Sequence, residues 1–243
     1  MNVSAERVGG GEVIDYVTKH DSISMKLHWS NAVAWVILLS TGLGLLVGSS
    51  YRLVWEGWPA LLTTLTGGRE GLKLTHSIVG LIWFIVVVVL AIVGWKQSSE
   101  FIRYGLRIGK DDISWLKARG SGIMGRYEPM PPQDQYNGGQ KLFAWLVILG
   151  TVVIGISGVI LFFGQRLPMG LVQWALPVHV AFAGLVAMGL IVHLFMSLLL
   201  KEERPALISM FTGKVDARFA RTHHRKWYDR VTGGGQATAS GTE

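Results

Sequence analysis

Four stretches of this sequence run for 19 to 27 residues without a Lys, Arg, Asp or Glu: 29–48 (WSNAVAWVILLSTGLGLLVG), 77–95 (SIVGLIWFIVVVVLAIVGW), 142–163 (LFAWLVILGTVVIGISGVILFF) and 174–200 (WALPVHVAFAGLVAMGLIVHLFMSLLL). A helix needs about 20 apolar residues to cross the hydrocarbon of a bilayer, and each stretch meets that length. The apolar residues come in blocks rather than in the amphipathic pattern of a soluble domain. Half of all residues are hydrophobic and only 16% are charged, which agrees with that reading. The first stretch outruns the 7–15 residues of a typical signal-peptide core and no convincing small-residue cleavage site follows it, so it reads as a retained helix. The expected fold class is all-α, an integral membrane four-helix bundle.

A net charge of +7 raises the question of a nucleic-acid partner. The distribution of the charge answers it. Of 23 Lys and Arg, 19 lie before the first stretch, between the second and third, or after the fourth, and only 4 lie in the other two connections. By the positive-inside rule the rich side is cytoplasmic. The basic charge therefore records topology, with both termini inside, and implies no nucleic acid. There is no Cys, which excludes disulfides, thiolate zinc, iron–sulfur clusters and covalently attached haem on this chain.

Three regions follow: a flexible N-terminal extension over 1–20, a membrane domain over 21–230, and a disordered tail over 231–243 ending in GGGQATASGTE. The outward loop 49–75 holds Trp55 and Trp58, which suit an interfacial aromatic belt. In the cytoplasmic loop 96–140, QSSEFIRYGLRIGKDDISWLKARG mixes apolar and basic residues as a surface-lying helix would, though an irregular loop fits it equally. YEPMPPQDQYNGG, punctuated by Pro and Gly, predicts an ordered turn. No internal repeat stands out.

Against this apolar background the histidines carry the chemistry. His179 and His193 lie fourteen positions apart in the fourth stretch, about 21 Å along a helix and within about 40° of the same direction. His28 immediately precedes the first stretch and His76 the second. With alternating helix directions, His28 and His193 share the cytoplasmic level, and His76 and His179 the outer one. Two facing neutral imidazoles are a way to hold b-type haem iron without cysteine, and helix bundles build such sites from inward side chains. Glycines at 42, 44, 80, 155, 158, 184 and 189 would let a flat macrocycle or a neighbouring helix approach. His223 and His224 sit in the hydrophilic tail, away from either pair. Two haem b stacked across a membrane make an electron path. With no flavin motif, cluster or substrate site, the chain needs a donor and an acceptor from outside itself.

At these residues the sequence resembles the gamma subunit, a dihaem cytochrome b, of respiratory formate dehydrogenase. The matching motifs are LHWSNAV…STGLGLL, LTHSIVGLIWF, YNGGQKLFAW…GISGVILFF, HVAFAG…IVHLFMSLL, MFTGKV and ARTHHRKWYDR, from about residue 20 to 230. The resemblance implies a bacterial inner-membrane location. It also implies His28 and His193 on a cytoplasmic haem and His76 and His179 on an outer one, all four as iron ligands. The implied partners are membrane lipid, an iron–sulfur beta subunit and a molybdenum or tungsten alpha subunit. It puts a quinone, menaquinone or ubiquinone, beside Asn137, Gly139, Gln140 and Lys141, with His193 nearby. From the residues alone, Asn137–Gly138–Gly139 also reads as a turn in which Asn137 caps the third helix. THHRKW reads as a docking or folding element. The stretches MNVSAERVGGGE and EPMPPQD depart from the family pattern.

The four-histidine pattern is shared with cytochrome b subunits of hydrogenases and of thiosulfate or polysulfide reductases. A different class, a small transporter or proton channel using the histidines as a relay, is disfavoured by the lack of acidic residues in the four stretches. On the leading reading the chain has no substrate chemistry of its own except at the quinone.

Overall fold

The computed structural model describes residues 3–8, 12–46, 54–126 and 128–233. Four helices are long and apolar enough to cross a membrane: α1 (Ser22–Leu46), α3 (Arg69–Val93), α6 (Gly138–Phe162) and α7 (Met169–Leu194), the last prolonged by a π-helical turn, Phe195–Leu199. Each begins four to eight residues before its apolar stretch. Hydropathy marks only the greasy part of a helix, whereas the helix itself starts where its first N–H groups find acceptors. At α1 that acceptor is Asp21, whose Oδ1 takes the amides of Ile23 and Ser24 at 2.8 and 3.0 Å.

The spanning helices present stripes of exposed apolar side chains. On α3 these are Ile78, Ile82, Ile85, Val89 and Ile92, and on α6 Leu142, Trp145, Leu149, Val152 and Ile156. Steps of four and three residues keep each stripe on one helix face, and such stripes on water-facing surface would drive association. The opposite faces hold what packs inward: Leu72 and Trp83 on α3, Ile154 and Ser157 on α6. Trp83 donates its indole N–H to Asn31 Oδ1 at 2.7 Å and packs edge-on against Trp35. A polar atom in this apolar setting is thereby satisfied.

The connections hold more helix than expected. The 49–75 connection contains α2 (Gly57–Thr66); Trp58 donates to the Ser40 carbonyl at 3.3 Å, while Trp55 stays exposed. The 96–140 connection holds α4 (Trp95–Gly105) and α5 (Lys110–Ile123), so the helical alternative holds there. Residues 128–137 are non-helical, as the prolines and glycines predicted. The tail folds into α8 (Arg204–Thr212), α9 (Ala217–His223) and α10 (Arg225–Thr232).

The all-helical expectation needs a correction. The N-terminal segment, expected to be loosely ordered, forms β1 (Val3–Val8) and β2 (Glu12–Thr18), which pair antiparallel. β2 pairs in turn with β3 (Lys214–Asp216), Val17 opposite Val215. A three-residue strand carries no periodic signal, and its partner lies about two hundred positions away, so no local pattern reports the pairing. Val17, Val215, Ala217, Phe219, Ala220 and Trp227 form a small buried core there. The tail expected to be disordered from 231 is still helical at Val231 and Thr232, and residues 234–243 lie outside the described residues.

The chain divides into two compact units. A span unit comprises Lys26–Val93 and Val147–Leu190; a loop-and-tail unit comprises Met1–Met25, Gly94–Leu146 and Ile191–Glu243.

Candidate functional site

Within the span unit, His76 of α3 and His179 of α7 come together, ring centroids 6.3 Å apart and planes crossed at 74°. Each ring is held through Nδ1. Thr41 Oγ1 lies 2.8 Å from His76 Nδ1, and Ser157 Oγ 3.1 Å from His179 Nδ1. Both hydroxyls spend their one proton on the preceding helical turn, Thr41 on the Ile37 carbonyl at 2.8 Å and Ser157 on the Val153 carbonyl at 2.6 Å. Each hydroxyl oxygen must then accept, so Nδ1 carries the hydrogen and Nε2 keeps its lone pair.

Those lone pairs suit a metal held between them. A metal–imidazole bond of about 2 Å plus about 1.1 Å from nitrogen to ring centre, on both sides, gives about 6 Å between centroids; the rings stand 6.3 Å apart. Glycine clears the space beside them. A Cβ at Gly42 would lie 3.4 Å from His76 Cε1, and one at Gly158 3.4 Å from His179 Cε1. The two halves match: a hydroxyl residue followed by Gly on one spanning helix, and the histidine on the next spanning helix. The donor set therefore fits a bis-histidine b-type haem. No cluster of three or more His, Cys, Asp or Glu that could hold a metal occurs among the described residues.

His28 belongs to the span unit and His193 to the loop-and-tail unit. His28 packs edge-on against Trp29 at 5.2 Å. His193 stacks on Phe143, centroids 4.8 Å apart and planes within 8°. The π-helical turn begins two residues beyond it, a deviation that often marks functional positions.

The turn before α6 is built as a reciprocal cap. Asn137 Oδ1 accepts the Gln140 amide at 2.9 Å, and Gln140 Oε1 accepts the Asn137 amide at 3.1 Å. The carbonyl oxygens of both side chains are thus committed. Gly138 sits where a Cβ would come within 2.6 Å of the Asp112 carbonyl, so only glycine fits, and Gly139 lies against the Trp115 ring. Lys141 is buried and donates to Asp112 Oδ2 at 2.9 Å and to the Arg107 carbonyl at 3.0 Å. Burial, followed by the Asp21 and Glu100 carboxylates, pushes the Tyr136 phenol up to about 12 and keeps it protonated beside the turn. A cleft of about 680 Å³ opens next to Lys141, lined by Arg103, Arg107, Asp111, Asp134 and Lys226 among others. So charged a lining does not suit an isoprenoid chain.

His224, in the tail motif, is a folding element. It is almost fully buried, with Lys19 Nζ donating to its Nε2 at 3.0 Å and its Nδ1–H donating to the Asp134 carbonyl at 2.7 Å. It thereby ties the N-terminal segment, the proline-rich turn and the tail together. Burial would raise Asp134, but the bidentate Arg230 guanidinium more than offsets it and holds the carboxyl below its usual range. Burial, then the Lys19 ammonium, holds His224 down at about 3; burial also lowers Lys19 to about 8. Below the ordinary histidine value of about 6.5 the unfolded chain takes up a proton that folded His224 refuses. The stability of this unit is therefore full above about pH 6.5 with respect to His224 and is lost progressively as pH falls from there toward 3. Thermal unfolding between pH 7.5 and 4.5 should show the decline, and His224→Gln, which can keep both hydrogen bonds, should flatten it. An equal decline in the variant would assign the acid sensitivity to other groups.

The hydroxyls Thr41 and Ser157, the Lys141–Asp112 pair and the Lys19–His224 contact escaped sequence reasoning. The sequence does offer one signal for the first two: Thr41-Gly42 and Ser157-Gly158 repeat on successive halves of the chain.

Four apolar spans with a paired-imidazole centre between glycines define a membrane cytochrome of the b type. The chain belongs to the prokaryotic cytochrome b561 family, whose description matches residues 19–213. Membership implies haem b and a multi-pass protein of the bacterial inner membrane. Curated relatives bear out the resemblance read from the motifs. The nitrate-inducible formate dehydrogenase cytochrome b556(Fdn) subunit of Escherichia coli K12 is 25% identical over 203 residues, 82% of this chain and 87% of that one. The cytochrome b556(fdo) subunit of formate dehydrogenase from the same strain is 24% identical, over 89% of this chain and 94% of its own. The formate dehydrogenase cytochrome b556 subunit of Haemophilus influenzae is 23% identical, over 87% and 82%.

Proposed function

We propose that this chain is the dihaem b-type cytochrome subunit of a formate dehydrogenase-like complex, passing electrons from an iron–sulfur partner across the membrane to a quinone at the cytoplasmic side. The observation that carries the reading is the crossed His76–His179 pair, with both Nε2 lone pairs left for a metal by the hydroxyl contacts on Nδ1. When bound, haem iron supplies one-electron chemistry between its ferric and ferrous states. His76 and His179 hold the outer haem. His28 and His193 hold the cytoplasmic one, a pairing that rests on helix direction and on the resemblance. The catalytic alpha subunit, with molybdenum or tungsten, and the iron–sulfur beta subunit are the partners the motif resemblance implies; the relatives are themselves cytochrome subunits of formate dehydrogenases.

For the quinone, the turn before α6 offers donors. The oxygens of Asn137 and Gln140 serve the cap, which leaves their amide N–H groups to a quinone carbonyl, with Gly139, Lys141 and His193 adjoining. Asn137→Asp and Gln140→Glu keep the capping oxygens and remove only the amide donors. Each should slow quinone-linked turnover by about tenfold, the cost of about 1.4 kcal/mol of lost hydrogen bonding, with both haems retained. Unchanged quinone kinetics in both variants would reduce the turn to a cap.

The complex is tested by purifying the protein from its native membrane. Dithionite-reduced b-type bands, two haems per chain and co-purifying iron–sulfur and molybdenum or tungsten subunits are expected. A colourless preparation would favour the relay transporter. Coloured protein that co-purifies with a hydrogenase or a sulfur-compound reductase would move it to those complexes.

A further inference from the structure

We infer that Thr41 and Ser157 are positioning residues, which lock the orientation and donor strength of the two imidazoles and so set the spectroscopic type and potential of the haem they hold. The inference rests on the proposed haem ligation by His76 and His179. It deepens that reading by giving a role to residues outside the ligand set.

The argument begins with the helix. A serine or threonine in an apolar helix ordinarily returns its hydroxyl to the carbonyl three or four residues back. Thr41 does so toward Ile37 and Leu38, and Ser157 toward Val153 and Ile154. That bond fixes the hydroxyl rotamer and points an oxygen lone pair away from its own helix. The lone pair then meets Nδ1 of a histidine on another helix, His76 for Thr41 and His179 for Ser157. The following glycine leaves room for the Cε1 edge of the ring, 3.4 Å from where a Cβ would stand. One ring is therefore anchored from α1 and the other from α6, and their planes cross at 74°.

Two consequences follow from general chemistry. A hydroxyl oxygen accepting Nδ1–H makes the imidazole a stronger donor, which favours the ferric state and lowers the potential. Crossed imidazole planes leave the two iron dπ orbitals nearly equal in energy, which gives a highly anisotropic low-spin ferric resonance rather than the rhombic one of parallel planes. The paired geometry thus predicts a particular signal, and removing either hydroxyl should change it.

The test uses the complete protein in detergent, with redox titration and low-temperature electron paramagnetic resonance of Thr41→Val and Ser157→Ala. One of the two haem components, the same one in both variants, should rise in potential by about tenfold in its reduction equilibrium, the size of a second-shell effect, or about 59 mV for one electron. Its ferric signal should move from the highly anisotropic toward the rhombic type. Thr41→Ser, which keeps the hydroxyl and drops the methyl, should restore both properties. Loss of that haem in Thr41→Val with retention in Thr41→Ser also supports the inference, because only the hydroxyl is shared with the native residue. Unshifted potential and signal in both hydroxyl-free variants would overturn it with the ligand reading intact. Retention of the native potential and signal in Thr41→Val with loss of that haem in Thr41→Ser would overturn it in favour of methyl packing. A native protein without b-type haem would overturn this inference and the reading beneath it together.

Discussion

His76→Ala and His179→Ala are each expected to remove the same haem, and combining them should cost almost nothing further. The two rings face one another across one site, and members of one site are not additive. On the proposed dihaem reading, haem content, measured as extracted protohaem per chain, should fall from two to one in each single variant and stay at one in the double. Donor-to-quinone electron flow should fall by about 100-fold or more, since losing a ligand exceeds the 10–100-fold typical of its supporting contacts. His28→Ala and His193→Ala should remove the other component, so that His28→Ala with His179→Ala empties both. Different components lost from the His76 and His179 variants would break the pairing. Components shared between His28 and His76 would break the depth argument, and with it the direction of the electron path.

The parts of this protein that were readable from sequence are those whose signal is local and repeated. Nineteen or more uncharged residues can hardly be anything but a span, so α1, α3, α6 and α7 were plain. Their starts were not, because a helix begins at a cap such as Asp21 or Asn137 and not where hydropathy rises. α2, α4 and α5 are short, with compositions that a loop could share. β1, β2 and β3 needed knowledge of a partner strand at the far end of the chain.

The candidate site divides in the same way. A histidine in or at the edge of an apolar run is conspicuous because it is costly there, and four of them, expected at two depths, form a pattern. Thr41 and Ser157 are not conspicuous, since such residues satisfy themselves within a membrane helix at little cost. Only the three-dimensional contact shows their second bond. The polar neighbourhood of His224 sets it apart from the four candidate ligands, and the structure buries it in the loop-and-tail unit. Its partners Lys19 and the Asp134 carbonyl come from segments 205 and 90 residues away, and no spacing rule reaches them.

Lys141→Met is expected to destabilise the loop-and-tail unit by about 3–5 kcal/mol, the usual cost of stripping one partner from a buried ion pair. Lys141 and Asp112 are both almost fully buried, 6% and 5% exposed. Without the ammonium, the Asp112 carboxylate keeps one donor, the Gly109 amide at 2.7 Å. In unfolding experiments this should appear as a fall on the order of 10 °C in midpoint, with faster proteolysis of the 96–140 loop. Adding Asp112→Leu removes the stranded charge, and most of the loss should return; the contact to the Gly109 amide at the start of α5 is not restored, at about 1 kcal/mol. The same pair of variants decides what Lys141 does beside the turn proposed to meet the quinone. Its Nζ is already committed to Asp112 and the Arg107 carbonyl, and Gly138 lies against the Asp112 backbone, so the pair braces the turn from behind. If bracing is its role, quinone kinetics should worsen in Lys141→Met and recover in the double variant along with stability. A double variant that regains its midpoint but stays slow toward quinone would show that the ammonium meets the quinone itself.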